Sequence, residues 1–303
     1  MDVARPASGS SSAARPLAPA DPAAVLVDAH ALAAQLAAGD RPVLLDLRWR
    51  LGDDTGPERC AAGHLPGAVY VDLDRELAAP PSPREGRHPL PPLEELQAAA
   101  RRWGVSQASR VVVYDDSRGL SAARAWWLLR WAGVADVRLL DGGLEAWQAA
   151  GLPLETGAPP DPLPGDVVLR ADPDALLSAD EAAALARRGG TLLDVRAAER
   201  YTGETEPVDP RAGHVPGARS APTTANLRED GTFLAPQELR RRFAALGVEP
   251  GADVGVYCGS GVNAAHAIAA LALAGIPARL YAGSWSQWSS DPARPVAVGP
   301  DPG

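Results

Sequence analysis

Lysine is missing altogether: all 29 residues in the Lys plus Arg count are arginine. That excludes a Schiff-base lysine and the phosphate-gripping lysine of a P-loop. Cysteine is almost as scarce, with Cys60 and Cys258 alone among 303 residues. Two distant cysteines make neither a disulfide framework nor a four-ligand zinc site by themselves. A thiol enzyme in a reducing compartment stays open. No apolar run approaches the roughly 18 residues of a membrane span, so no membrane partner is expected. Residues 1–22, rich in Ala, Ser and Pro, lack the apolar core of a secretory signal and are expected to be a disordered lead. The expected compartment is the cytoplasm. The net charge of −9 argues against nucleic acid as a partner.

What is present is a globular composition, 46% hydrophobic and 22% charged, and a repeat. The first half reads "PVLLDLRWR", "AGHLPGAVYVDL", "RVVVYDDSRGLSAARAWWLLRWAG" and "VRLLDGGLEAW". The second reads "GTLLDVRAAER", "AGHVPGARSAP", "DVGVYCGSGVNAAHAIAALALAG" and "ARLYAGSWSQW". Asp46 matches Asp194, His64 matches His214, Tyr114 matches Tyr257 and Trp147 matches Trp288. Four segments in the same order indicate a duplicated unit of roughly 130 residues. We expect a first domain over 23–152, a Pro-rich linker over 153–170 and a second domain over 171–303.

Short β-branched runs such as "RVVVY" alternate with amphipathic patterns such as "LEELQAAARRWG". That alternation predicts an α/β fold, each unit a parallel sheet flanked by helices on both faces. Trp126, Trp127 and Trp131 fall at helical spacing and are expected to pack in a core or between the units.

Only the second unit carries a thiol at the end of its "VGVY" strand; where it has Cys258, the first has Asp115. A carboxylate is no soft nucleophile, so the first copy is expected to be catalytically silent. Gly259 and Gly261 permit close backbone approach, and successive N–H groups can form an anion-binding nest around the sulfur. Asn263 is the expected N-cap of the following helix, whose positive end favours a thiolate.

These motifs carry a resemblance. Through "AGHLPGA", "AGHVPGA", "YDDSRGLSAARAWW", "CGSGVNAAH" and "YAGSWSQW", the chain resembles the tandem-domain rhodanese sulfurtransferases from about residue 25 to 290. The resemblance implies two rhodanese-like domains, the first silent, and a two-step sulfur transfer through a persulfide on Cys258. It implies no metal or organic cofactor. The partners it implies are a small-molecule sulfur donor and a thiol acceptor such as a thioredoxin-like protein, or cyanide in vitro. The loop Cys258-Gly259-Ser260-Gly261-Val262-Asn263 is similar to the Cys-Gly-Ser/Thr-Gly-Val-Thr of the 3-mercaptopyruvate branch rather than to the basic loop of thiosulfate enzymes. In that branch arginines outside the loop hold the substrate carboxylate; "DVRAAERYTGE" offers Arg196 and Arg200. Ser260 would bond the nascent persulfide or relay a proton to the departing enolate. The family's histidine relay from the silent domain would match His64, oriented by Asp53, Asp54 or Glu58. His214 and His266 are expected to be structural. Asn263 and Ser220 depart from the family's usual Thr and Asn. Cys60 has no family role and reads as a redox-sensitive bystander.

Two rivals differ in class. A Cys-x5-Arg phosphatase would need arginine where Ala264 stands. A non-catalytic rhodanese-like binding module would not need Cys258. Within the enzyme class, thiosulfate is the alternative donor.

Overall fold

The computed structural model describes residues 24–159, 161–248 and 251–303; the lead expected to be disordered, 1–22, lies outside them. The first unit contains strands β1 (Leu26–Val27), β2 (Val43–Asp46), β3 (Val69–Tyr70), β4 (Arg110–Tyr114) and β5 (Asp136–Leu140). Between them run helices α1 (Ala29–Ala37), α2 (Gly56–Ala62), α3 (Leu73–Glu76), α4 (Leu93–Arg102), α5 (Ala122–Trp131) and, after β5, α6 (Gly143–Ala149). The second unit contains α7 (Ala179–Arg187), β6 (Thr191–Asp194), α8 (Ala198–Thr202), β7 (Arg219–Ser220) and α9 (Pro236–Ala245). It ends with β8 (Val254–Tyr257), α10 (Val262–Leu273), β9 (Arg279–Leu280) and α11 (Ser284–Ser290).

Both sheets are parallel, in the orders β1-β5-β4-β2-β3 and β7-β6-β8-β9. The duplication holds at the level of register. Asp46 pairs with Tyr114 and Asp194 with Tyr257. Each tyrosine hydroxyl accepts a backbone N–H at 3.0 Å, from Leu65 and Val215 respectively. Each matched tryptophan donates to a proline carbonyl, Trp147 to Pro153 and Trp288 to Pro295.

Alternation along the strands divides the interior. Leu44, Val112 and Tyr114 point to a small core of the first unit, and Leu192, Tyr257 and Tyr281 to one of the second. The opposite faces, with Leu45, Val111, Val113, Val254 and Val256, share a single core that includes α5 and α10. A helix that is apolar all round needs cover on every side; α10, whose residues are buried except Asn263, obtains it by packing against α5. Trp126, Trp127 and Trp131 lie in this shared core, with Trp127 and Trp131 stacked at 5.6 Å.

Local signals start several helices. Ser178 and Glu181 form a capping box on α7, and Asp28 Oδ1 accepts the Ala31 N–H on α1. The segment after α6 has no regular structure but is strapped to the first unit, its Gly165 and Val167 N–H groups donating to Arg101 and Val105 carbonyls.

Candidate active site

Strand β8 lies inside its sheet and ends at Tyr257, so the next residue emerges at the carboxyl edge, where open parallel sheets place their sites. That residue is Cys258, only 3% exposed at the floor of a pocket of about 330 Å³. Its Sγ accepts the Gly261 N–H at 3.1 Å. Gly261 itself, at φ +81°, is the N-cap of α10, and a Cβ there would come within 2.6 Å of the Ala282 carbonyl. This corrects the expectation for Asn263, which sits inside the helix and lines the pocket instead.

The start of α11 clamps the loop from behind. Trp285 N–H donates to Cys258 O at 2.9 Å and Ser286 N–H to Gly259 O at 2.8 Å. Ser284 Oγ accepts the Cys258 N–H at 3.2 Å from a residue held at φ +53°, a left-handed conformation uncommon outside glycine. Its repeat partner is Gly143, φ +59°. Ser284 belongs to the site without having been a candidate in the sequence.

The matching loop of the first unit shows what this architecture does with an anion. Asp115 Oδ1 accepts the Ser117 and Gly119 N–H groups at 2.9 and 2.8 Å, and Oδ2 those of Ser121 and Ala122, both at 2.8 Å. The carboxylate fills its own nest.

Behind Cys258, Ser260 Oγ lies 2.7 Å from Nδ1 of His88, a residue of the first unit. His88 Nε2 lies 3.2 Å from Asp74 Oδ1, and Trp49 Nε1 donates to Asp74 Oδ2 at 2.9 Å. The bond from His88, then that from Trp49, holds the Asp74 carboxyl below its usual range against partial desolvation. With the carboxylate fixing the proton on Nε2, Nδ1 is the acceptor and Ser260 donates to it. Ser260, His88 and Asp74 thus form a hydrogen-bonded chain leading from the pocket to the surface.

His64 is not part of it. Its Nδ1 bonds Cys60 O at 3.0 Å, as His214 Nδ1 bonds Tyr201 O at 2.8 Å, and both backbones bridge to the segment that closes their unit. Asp53 is engaged by Thr55 and Arg59 rather than by His64. The unrepeated "GRHPLP" was the available signal for His88: a histidine in the silent copy without a counterpart serves something other than the repeated fold.

The arginines also change places. Arg196 lines the pocket but is spent: it bonds Asp194 at 2.6 Å, Glu206 at 3.2 Å and Gly213 O at 2.6 Å, and stacks on Trp285. Its repeat partner Arg48 makes the same bonds to Asp46 and Gly63 O. Arg200 remains at the pocket, and Arg87 of the first unit joins it. Asp209 bridges them, bonding Arg87 Nη1 at 2.6 Å and Arg200 Nη2 at 3.0 Å. Among the described residues, Arg87 Nη2 and Arg200 Nη1 donate no hydrogen bond. A Cβ on Gly259 would lie 3.1 and 3.5 Å from these two nitrogens, so glycine there keeps both forks close to the loop.

Ser220 sits on the edge strand β7, in register with Asp194. Cys60 is fully buried, and burial, then the Asp46 charge, pushes its thiol up to about 12. A reactive, redox-sensitive thiol is expected to be exposed and acidic; Cys60 is neither. Among the described residues no cluster of His, Cys, Asp and Glu could hold a metal, and no helix is long and apolar enough to cross a membrane.

Comparison with known proteins bears on the family and the fold. The Rhodanese-like domain model matches residues 28–150 and 178–291. A probable 3-mercaptopyruvate sulfurtransferase of Pseudomonas aeruginosa is 50% identical over 91% of this chain and 99% of its own. A putative thiosulfate sulfurtransferase, SseB, of Mycobacterium tuberculosis is 49% identical over 91% of this chain and 97% of its own. The crystal structure of SseA from Escherichia coli, a 3-mercaptopyruvate sulfotransferase, superposes with a TM-score of 0.75 at 35% identity, covering 86% of this chain and 98% of that one.

Proposed function

The chain belongs to the rhodanese-like family, and on that premise we propose that it moves sulfane sulfur from 3-mercaptopyruvate to a thiol or cyanide acceptor through a persulfide on Cys258. The observation that carries this reading is the Ser260–His88–Asp74 chain, which meets Cys258 at Ser260 on the wall of its pocket.

In the first step the Cys258 thiolate attacks the sulfur of 3-mercaptopyruvate. The S–S bond forms, the C–S bond breaks, and its electron pair leaves on the pyruvate carbanion. The donor's thiol proton must reach that carbon to release pyruvate. Ser260, backed by His88 and Asp74, can take and return such a proton at its hydroxyl. Thiosulfate, with no carbon to protonate, would need no such relay. The open Nη groups of Arg87 and Arg200 suit the substrate carboxylate, and loop N–H groups hold the persulfide anion, as the silent loop holds Asp115. In the second step an acceptor thiolate takes the outer sulfur and returns the Cys258 thiolate. We assign the acceptor role to a thioredoxin-like protein thiol and the compartment to the cytoplasm, where a catalytic thiol stays reduced.

Thiosulfate as donor is favoured by one observation. The loop is neutral, but Arg87 and Arg200 bring two cations to Gly259 that the loop sequence does not show. Steady-state transfer with both donors side by side decides. We expect a preference for 3-mercaptopyruvate and, in Cys258→Ser, a loss of at least about 10³-fold. Turnover retained without the thiol would sink the persulfide reading, and a preference for thiosulfate would make the arginine pair its receptor.

A further inference from the structure

Helix α5 of the silent unit carries one cation into the shared core. Arg124 is fully buried, and among the described residues no carboxylate pairs with it. Its donors go to main-chain carbonyls instead. Nε and Nη2 reach Leu77 O at 3.3 and 3.2 Å, Nη2 also reaches His88 O at 3.1 Å and Pro89 O at 3.2 Å, and Nη1 reaches Gly261 O at 3.3 Å. Carbonyl dipoles solvate a guanidinium but do not neutralise it, and a buried cation without a counter-ion is costly.

Two of its carbonyl partners belong to the site. His88 is the residue that faces Ser260. Gly261 is the residue whose N–H holds Cys258 Sγ, and its carbonyl shares a planar peptide with the Val262 N–H, so anchoring one orients the other. Counting from Tyr114 and Tyr257, the position matching Arg124 in the second unit is Ala267. The cation, like His88, is unrepeated.

We propose that Arg124 is a positioning residue of sulfur transfer: it supplies, from the silent unit, the buried positive charge that balances the anionic sulfur on Cys258, and it fixes the peptide after Gly261. This rests on the sulfurtransferase reading given above. Burial draws the Arg124 guanidinium down to about 10, opposed by the attraction of an ionised Cys258. Arg124 is therefore still charged at neutral pH. Arg124 Nη1 bonds Gly261 O while the Gly261 N–H bonds Cys258 Sγ, so the buried charge stands one residue from the sulfur, where the two attract.

The other charged groups around Cys258 are already matched. Arg87 and Arg200 share Asp209, Arg200 and Arg196 share Glu206, and Arg196 is bound to Asp194. His88 bonds Ser260 and Asp74. His266, on α10, is lowered to about 3 by burial and stays neutral.

The test is the pH profile of iodoacetamide alkylation at Cys258, read by mass on the peptide that carries it, so that Cys60 does not intrude. This readout needs no sulfur donor, and a failure here leaves the donor assignment standing. In Arg124→Gln, which keeps hydrogen-bonding capacity and loses charge, the profile should move up by about one pH unit. Below the midpoint of the profile alkylation should slow about tenfold, while Arg124→Lys keeps most of the wild-type profile. A folded Arg124→Gln protein with the wild-type profile overturns the proposal. Should that variant not fold, the wild type answers by ¹⁵N NMR. The exchange-protected Nε–H of the buried arginine should shift when Cys258 is capped as the neutral carboxamidomethyl thioether, and an unmoved resonance overturns the proposal equally.

Discussion

Arg87 and Arg196 both line the Cys258 pocket, and their hydrogen bonds separate what each can do. Arg196 is locked on Asp194, Glu206 and Gly213 O with a side chain 1% exposed, whereas Arg87 gives one nitrogen to Asp209 and leaves Nη2 open beside Gly259. Arg87→Ala should raise KM for 3-mercaptopyruvate about ten- to a hundredfold, the worth of a charge-assisted bond, with little change in Tm. Arg196→Ala should instead strand a buried Asp194 and cost about 3–5 kcal/mol in denaturant unfolding. Normal KM in the first variant and normal stability in the second would reverse the two roles. The sequence held the distinction in its repeat. Arg196 has a twin in Arg48, as His214 has in His64, and repeated polar residues turn out to brace the strand ends and turns of both units. Arg87, His88 and Arg124 match no such residue in the second unit and gather at the thiol. Cys258, Ser260, Gly259 and Gly261 were legible because they are contiguous. His88 and Arg87 were not, because a loop far away in sequence and without hydrophobic period gives no sign of where it folds back.

Elements were legible in proportion to their length. The runs of β2, β4, β6 and β8 and the amphipathic faces of α4, α7 and α9 announce themselves, while β1, β3, β7 and β9 are two residues each, too short to show a period of two. Helix α10 starts before Asn263 for a physical reason. Asn is a good N-cap, but the loop must turn through the left-handed region to aim an N–H at Cys258 Sγ, and Gly261 makes that turn one residue before the helix. Further along α10, His266 packs against Phe233 at 4.6 Å and bonds Thr223 through Nδ1 at 2.8 Å, with Gly119 of the silent loop close to its ring. Burial lowers its pKa from 6.5 to about 3. Between those values the unfolded chain binds a proton that the folded one refuses, so stability rises with pH across the window and is lost as pH falls from about 6.5. The slope from this one residue is at most about 1.4 kcal/mol per pH unit. Urea titrations at pH 7, 6 and 5 should show wild type losing stability faster than His266→Asn. Parallel pH dependence would mean that the ring ionises inside the fold.

At the scale of the whole chain, duplication has left a division of labour across one core. The second unit keeps the thiol and its loop; the first contributes Arg87 to the pocket, His88 and Asp74 behind Ser260, Arg124 behind Gly261, and the helix that covers α10. The first unit has Asp115 in place of a thiol, and that carboxylate already occupies the anion nest with four N–H bonds. That unit therefore acts through what it lends. A fragment of residues 171–303 would expose the apolar faces that the shared core now hides, including much of α10, and exposed patches of that size drive association. Even where it folds, it retains Cys258 and Ser260 without the histidine that polarises the serine or the second arginine at the mouth. We expect its kcat/KM for 3-mercaptopyruvate to fall at least about 10³-fold, from loss of the relay and of one substrate contact together. Mixing it with a fragment of residues 23–170 should restore part of that activity, because α5 would again cover α10 with Arg124 and the segment before α4 would bring His88 back to Ser260. Full turnover by residues 171–303 alone would show that the chemistry needs nothing from the silent half.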